Sequence, residues 1–252
     1  MTTTRPLALA APLLLLLGAC AHGPSPKDQK TAEIHHDLAV EALRAGRPQE
    51  ALKQYDTALA ADPEMPEALL GRGLVHEYGF GKLAEAEADY RHALLIRPNY
   101  PEARNNLGQL LARTGRQAEA IGEFDKALDI SVYMEPWVAR CNKGQALYQL
   151  GRRDEGVAEL RTCVRIAPRY CKGRRELGRI LVAEGKAEEG MGELESYVRH
   201  CPTVADAQLQ VGLARLKAGD GAGARAALEK CEELGGESPD ADECRKTLKL
   251  LK

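Results

Sequence analysis

Seven cysteines and six histidines are the residues of this chain that could carry redox or metal chemistry. The cysteines form no C-x-x-C pair, and no two histidines stand at the three- or four-residue spacing of a zinc-binding helix. His76-Glu77 lacks the second histidine that a metalloprotease helix needs. No nucleophile stands with a base and an orienting residue. We therefore expect no catalytic residue, no metal site, no cofactor and no small-molecule substrate.

A short pattern of small residues returns six times between about residue 32 and residue 236. A glycine marks each return, 34 to 36 residues after the previous one, and glycine can adopt the left-handed conformation that ends a helix. These glycines are Gly46, Gly81, Gly115, Gly151, Gly185 and Gly219. A second small residue precedes each glycine by seven positions, or by eight before Gly81, where one residue is inserted. A fixed period of this length predicts a stacked array, which offers binding surfaces rather than a catalytic pocket.

Residues 101–134 show how one unit of the array is built. Apolar residues recur at helical spacing on both sides of Gly115, which predicts two amphipathic antiparallel helices. Gly108 on the first helix and Ala120 on the second have almost no side chain, so the two helices can approach closely. One such hairpin cannot bury its apolar face alone and must stack on its neighbours.

These units resemble the tetratricopeptide repeat. The third unit carries the pattern in Leu107-Gly108, Ala120, Phe124 and Ala127, and the first carries its closing proline, Pro63. The resemblance implies an all-α protein, a right-handed superhelical solenoid of six tetratricopeptide repeats plus a C-terminal capping helix. The repeats are expected at residues 32–65, 66–100, 101–136, 137–170, 171–204 and 205–237, and the capping helix at 238–252.

Six cysteines lie in the last three repeats and the cap, and their even number favours disulfides formed in an oxidising compartment. In a helical hairpin the start of the first helix lies beside the end of the second. This geometry favours the pairs Cys171–Cys201, Cys141–Cys163 and, across the last two helices, Cys231–Cys244. A Cys163–Cys171 link is an alternative, as are free thiols at Cys163 and Cys231, which stand where the repeat usually has alanine.

The N-terminus has the pattern of a segment that directs export. An arginine precedes an apolar run from Leu7 to Leu17 that is too short to span a bilayer, which is typical of a signal peptide. The run ends in Leu-Gly-Ala-Cys, which resembles a bacterial lipobox. The resemblance implies a signal peptide at residues 1–19, lipidation of Cys20 and a flexible tether at residues 20–31. We expect a lipid-anchored protein of the outer membrane that faces the periplasm.

In the tetratricopeptide family the first helix of each pair lines a concave groove that binds partners. The corresponding residues here are His36, Val40, Leu43, Leu70, Leu74, Tyr78, Asn105 and Gln109. Their apolar members favour an amphipathic helix or an apolar strand as the bound segment. If the helix phase differs by one residue, the same residues belong to the core. The later repeats have a polar groove, with Asn142, Gln145, Tyr148, Lys172 and Arg175.

A lipoprotein made of tetratricopeptide repeats resembles the type IV pilus pilotins. That family helps the pilus secretin to reach the outer membrane and assemble, which implies a non-catalytic protein with a PilQ-like secretin as its partner. The alternative is a general envelope adaptor for another periplasmic or outer-membrane assembly or protease system. The formal net charge is only −2 and no basic block occurs, so nucleic acid is not expected as a partner.

Overall fold

Helical hairpins make up the described part of the protein. A computed structural model describes residues 23–251, which contain thirteen α-helices, one π-helical segment at Val75–Gly79 and no strand. Helices α1 to α13 span, in order, Pro26–Arg44, Pro48–Ala61, Pro66–Leu74, Leu83–Ile96, Pro101–Arg113, Gln117–Leu128, Pro136–Gln149, Arg153–Ile166, Cys171–Ala183, Ala187–His200, Ala205–Lys217, Gly221–Gly235 and Pro239–Leu250. The prediction of an all-α solenoid with a C-terminal capping helix is confirmed.

The first helix begins earlier than the sequence predicts. The tether is expected to extend to Thr31, yet α1 starts at Pro26. The Ser25 hydroxyl accepts a hydrogen bond from the Asp28 backbone N–H at 3.2 Å, and the Asp28 carboxylate accepts one from the Ser25 N–H at 3.3 Å. This reciprocal capping box, followed by a proline in the first turn, is a strong helix start. The tether prediction is therefore wrong from Pro26 onwards, while residues 20–22 lie outside the described residues.

The six glycines predicted to end first helices all adopt the left-handed conformation, with φ between +67° and +90°. A residue with a Cβ is strained in this conformation, which explains why glycine recurs there. The residue inserted before Gly81 has a visible structural consequence. It is accommodated as the π-helical segment Val75–Gly79 at the end of α3, as expected when one residue is added to a helix.

Stacking of the hairpins creates two distinct rows of helices. Each helix packs against the next along the sequence, and odd-numbered helices also contact one another, for example α5 with α7 and α7 with α9. We call the surface built by α1, α3, α5, α7, α9 and α11 the first-helix face. Apolar clusters follow one another in sequence order between the rows. At the end of the array α13 packs on α12 and α11, so it covers the last hairpin.

Candidate protein-binding face

The apolar residues predicted for the groove lie at the seams between the first hairpins. Leu43 and Leu70 pack against the core cluster around Tyr55, and Leu70 and Leu74 pack against the next cluster around Leu107. All three leucines are partly buried rather than fully buried or fully exposed. They therefore contribute to the core on one side and still present apolar surface on the other. Val40 is also partly buried.

His36 and Tyr78 occupy different environments although the sequence predicts both for the groove. The His36 ring packs edge-on against the ring of Tyr55, with 5.9 Å between the centroids. Tyr78, in the π-helical segment, is 61% exposed. The Arg113 guanidinium lies 5.4 Å from the centre of its ring, within the range of a cation–π contact. Tyr78 is thus the large aromatic side chain that this part of the face offers to a partner.

A buried carboxylate supports the position of Tyr78 and Arg113. Glu77 follows His76 in the π-helical segment, and its side chain is fully buried. It accepts a hydrogen bond from the Tyr90 hydroxyl at 2.8 Å and forms an ion pair with Arg113. Burial, together with the neighbouring Glu77, raises the pKa of Tyr90, so this hydroxyl remains a donor. The π-helical segment therefore contributes the buried carboxylate of an ion pair with the end of α5.

Asn105 and Gln109 belong to a polar section of the face and not to the apolar strip. Asn105 is buried, and its side-chain oxygen accepts a hydrogen bond from Asn142 at 2.9 Å. It lies beneath the first-helix face because the next first helix covers it. Gln109 is partly buried and lines a pocket with Asn142, Gln145 and Lys172. The eight predicted residues thus divide into an apolar section on α1, α3 and the π-helical segment and a polar section that begins on α5.

Three disulfides join the helices of the later hairpins. The structure pairs Cys141 with Cys163, Cys171 with Cys201, and Cys231 with Cys244, with Cα–Cα distances of 5.5, 6.2 and 6.3 Å. These are the pairs that hairpin geometry favours, and neither the Cys163–Cys171 alternative nor the free thiols are observed. The first two bonds each link the two helices of one hairpin, and the third links the last repeat to the cap. Cys20, predicted to carry the lipid, lies outside the described residues.

Within residues 23–251 no cluster of three or more His, Cys, Asp or Glu side chains could hold a metal ion. None of the helices in the same range combines the length and the apolar character that a membrane crossing requires.

Sequence comparison identifies the repeats. Family models described as tetratricopeptide repeat match residues 36–101, 76–131 and 139–170, together about half of the sequence. The protein belongs to the tetratricopeptide repeat family. Proteins of this family are generally non-catalytic scaffolds for protein interactions, and no enzyme family is indicated. Among curated proteins, DnaJ homolog subfamily C member 3 of Rattus norvegicus is 31% identical over 116 residues. That match covers 46% of this chain but only 23% of the relative, so this chain spans about a quarter of the relative's length.

Solved structures match over much more of the sequence. PilW, described as a widely conserved type IV pilus biogenesis factor, is 26% identical with a TM-score of 0.76, and the match covers 84% of this chain and 97% of PilW. PilF of Pseudomonas aeruginosa is 18% identical with a TM-score of 0.71, covering 88% of this chain and 99% of PilF, a likeness of fold alone. This tetratricopeptide protein is thus of the adaptor type and is similar to PilW over most of its length.

Proposed function

We propose that this tetratricopeptide protein is a pilotin, an outer-membrane lipoprotein that binds a PilQ-like secretin and promotes its insertion and multimerisation during type IV pilus assembly. The observation that carries the proposal is the match to PilW, which extends over 97% of that protein and 84% of this chain. A match on this scale extends over most of both chains and not over single repeats alone. The motif alone would not support a function, because unrelated proteins share it.

The apolar section of the first-helix face supports a protein segment as the ligand. Leu70 and Leu74 are half-buried between neighbouring hairpins, and Tyr78 stands exposed beside them. An amphipathic helix or apolar strand laid along this section would remove the remaining apolar surface from water, which favours binding by about 25 cal/mol per Å². Binding would promote assembly if the segment is more accessible in the assembly-competent secretin, since a ligand shifts an equilibrium only by differential affinity.

Lipidation of Cys20 would give the solenoid its location. The Leu-Gly-Ala-Cys motif ends only six residues before the start of α1 at Pro26. The array would therefore stay close to the inner leaflet of the outer membrane, facing the periplasm. Confinement to the membrane where the secretin must assemble raises the effective concentration of the two partners without any new contact.

Deletion of the protein tests the proposal most directly. We expect heat-resistant secretin multimers to disappear from a blot of the outer membrane, while secretin monomers remain. Normal multimers and normal pili in the deletion strain would refute the pilotin role. Normal multimers with a defect in another envelope assembly would favour the general adaptor instead.

The binding surface can be tested with one matched pair of substitutions. Tyr78→Asp places a charge in the apolar section at an exposed position, so we expect the fold to persist and secretin capture to fall. Leu95→Asp changes another exposed apolar residue, which belongs to the second helix α4 and not to the first-helix face. Both variants should keep the wild-type circular dichroism. Equal secretin capture by the two variants would show that the apolar section does not bind the partner.

A further inference from the structure

The connection between α6 and α7 is longer than its counterparts and exposes two apolar side chains. The connections at residues 62–65, 97–100, 167–170 and 201–204 have four residues each, whereas residues 129–135 make this one seven residues long. Val132 is 74% exposed and Met134 is 79% exposed. Tyr133 between them is buried in the core, and its backbone N–H donates to the Ile130 carbonyl oxygen at 3.1 Å. The buried tyrosine therefore holds the connection so that both apolar neighbours face solvent.

A largely apolar cavity lies beside this connection. It has a volume of about 490 Å³ and is bordered by the start of α7, the connection between α8 and α9, and the end of α10. Burial raises the pKa of Tyr133, with smaller contributions from Glu102, Glu135 and Tyr170, so the two tyrosines are neighbours. Val132, Met134 and the cavity thus form one surface, which we call the connection surface. Its cavity residues are Trp137, Ala167, Pro168, Arg169, Tyr170 and His200.

Unpaired arginines flank the connection surface on one side. Arg165 lies in the last turn of α8, Arg169 in the connection that follows, and Arg199 in the last turn of α10. All three are exposed, and none has a carboxylate partner within 4.0 Å among residues 23–251. The acidic residues of the region, Asp129 and Glu135, belong to the connection between α6 and α7. The ends of α8 and α10 therefore present positive charge that the described residues do not neutralise, and such charge attracts an anionic surface.

The connection surface lies at the end of the hairpins from which α1 also starts. Consecutive helices are antiparallel, so every first helix begins at this end and every glycine turn lies at the other. Helix α7 has 14 residues, which separates the two ends by about 21 Å. Only six residues lead from Cys20 to Pro26, and they span at most about 20 Å. A lipid on Cys20 would therefore hold the connection end towards the membrane.

We propose that the connection surface docks on a bilayer that contains anionic phospholipids. Val132 and Met134 enter the acyl-chain boundary, and the rings of Trp137 and Tyr170 lie at the level of the headgroups, where amphipathic aromatic side chains are favoured. The arginines contact the lipid phosphates.

Docking gives the anchored protein an orientation that the anchor alone does not provide. The proposal rests on the proposed lipidation of Cys20 for attachment, but it does not depend on the secretin as partner. The helix axes point away from the membrane when the connection surface is docked. The first-helix face is built from the sides of the helices, so it stays open to a protein partner.

The fluorescence of Trp137 reports docking directly, because this is the only tryptophan in the sequence. The full-length protein is purified from membranes and reconstituted into vesicles of phosphatidylcholine, with or without phosphatidylglycerol. Lipids brominated on their acyl chains quench a tryptophan that they contact. We expect strong quenching and a blue shift of the emission in vesicles with phosphatidylglycerol, and weaker quenching without it. Equal emission with brominated and unbrominated lipids in both kinds of vesicle would overturn the proposal.

Flotation separates a failure of the anchor from a failure of docking. A lipidated protein floats with vesicles of phosphatidylcholine alone, and a protein that does not float there has no anchor. Trp137 is then measured after adding the same protein to vesicles that contain phosphatidylglycerol. Quenching in that sample would still support the connection surface, and its absence would overturn it. No secretin is present, so neither result depends on the pilotin role.

Three variants test the apolar and the cationic parts of the surface. Met134→Asp places a charge at the acyl-chain boundary, and we expect the ratio of docked to undocked protein to fall by at least about tenfold. Arg169→Gln removes one positive charge and should lower the ratio by about fivefold, only in vesicles with phosphatidylglycerol. Leu150→Asp is the control, because Leu150 is an exposed residue at the opposite end of α7. It should dock as the wild type does.

The same variants distinguish a membrane contact from a protein contact. All three should keep the wild-type circular dichroism and the wild-type capture of secretin in detergent, because the first-helix face is unchanged. Unchanged docking by Met134→Asp, or an equal loss in Leu150→Asp, would overturn the proposal. Loss of secretin capture by folded Met134→Asp would make the surface a protein contact and would overturn it too. If Met134→Asp fails to fold, the comparison of Trp137 quenching in the two kinds of vesicle still decides.

Discussion

The first three hairpins and the last three share one repeat but are held together in different ways. In the hairpin α5/α6 the Phe124 ring fills the space beside Gly108, where an added Cβ would lie 2.6 Å from the ring. In α7/α8 the residue in the same register is Leu160, and the backbones themselves approach. A Cβ added at Gly156 would lie 2.6 Å from the carbonyl oxygen of Gly144. Large aromatic side chains therefore occupy this position in the earlier hairpins, while α7/α8 and α9/α10 have a close backbone approach and a disulfide each.

The difference shows how one repeat can serve two purposes. Tyr55, Tyr90 and Phe124 are all fully buried, and a buried aromatic side chain removes about 150–250 Å² from water. The later hairpins place leucine at this position in Leu160, Leu194 and Leu228, and three disulfides link the region. The first-helix face also differs between the two halves. Its earlier part is apolar, and its later part is cationic, with exposed Arg175 and Arg179. The three disulfides thus lie in the half of the array that lacks these buried aromatic residues.

Truncation of a buried aromatic residue should have the largest effect. Phe124→Ala leaves a cavity at the centre of α5/α6, and we expect a loss of about 3–5 kcal/mol in the free energy of unfolding, measured by urea denaturation. Leu95→Ala, at an exposed position of α4, should change the free energy of unfolding by less than about 0.5 kcal/mol. A Phe124→Ala variant as stable as Leu95→Ala would show that the aromatic residue does not hold the hairpin.

Loss of a disulfide should affect only the later half. The double substitution Cys171→Ser with Cys201→Ser opens a loop with a sequence separation of 30 residues, and we expect a cost of about 2–4 kcal/mol. Hydrogen exchange measured along the sequence should show faster opening of α7–α12 and unchanged protection of α1–α6. The earlier half serves as an internal control because no cysteine occurs between residues 21 and 140. Equal loss of protection in both halves would mean that the array unfolds as one unit.

The repeat pattern was enough to predict the hairpins, because each depends on local features. Glycine is needed wherever φ is positive, so Gly46 and Gly115 could be placed from sequence. Exposure could not be predicted in the same way, because it depends on which helix is the neighbour. Leu38 and Leu107 hold the same motif position, yet Leu38 is 46% exposed and Leu107 only 1%. In the described residues no hairpin precedes α1, whereas α4 packs against α5.

The burial and pairing of residues on the first-helix face could not be predicted from the sequence either. Asn105 has the sequence position of a groove residue, but it is covered by a hydrogen bond from Asn142, 37 residues later. Lys172 and Glu176 lie one turn apart on α9 but form no ion pair with each other. Glu176 pairs with Arg175 and Arg179 instead. The sequence places all these charges on one helix without indicating how they pair. The one-residue insertion before Gly81 could have indicated this part of the face from the sequence. An inserted residue in a helix predicts a π-helical turn, and such turns often occur at functional sites.

The smallest effect concerns the close approach of backbones in the later half. Gly156→Ala adds a methyl group against the carbonyl oxygen of Gly144, and the backbone does not move aside as easily as a flexible side group. We expect a loss of about 1–3 kcal/mol from this overpacking, measured by urea denaturation. Gly192→Ala is the matched control, since Gly192 also lies in a helix of the later half but an added Cβ meets nothing within 4 Å. There the reduced flexibility of the unfolded protein should stabilise the fold by about 0.4–1 kcal/mol. Opposite signs for the two substitutions would support backbone contact as the feature that distinguishes the later hairpins. If both substitutions were stabilising, α7 and α8 would have room to separate, and the cross-links alone would account for the difference between the halves.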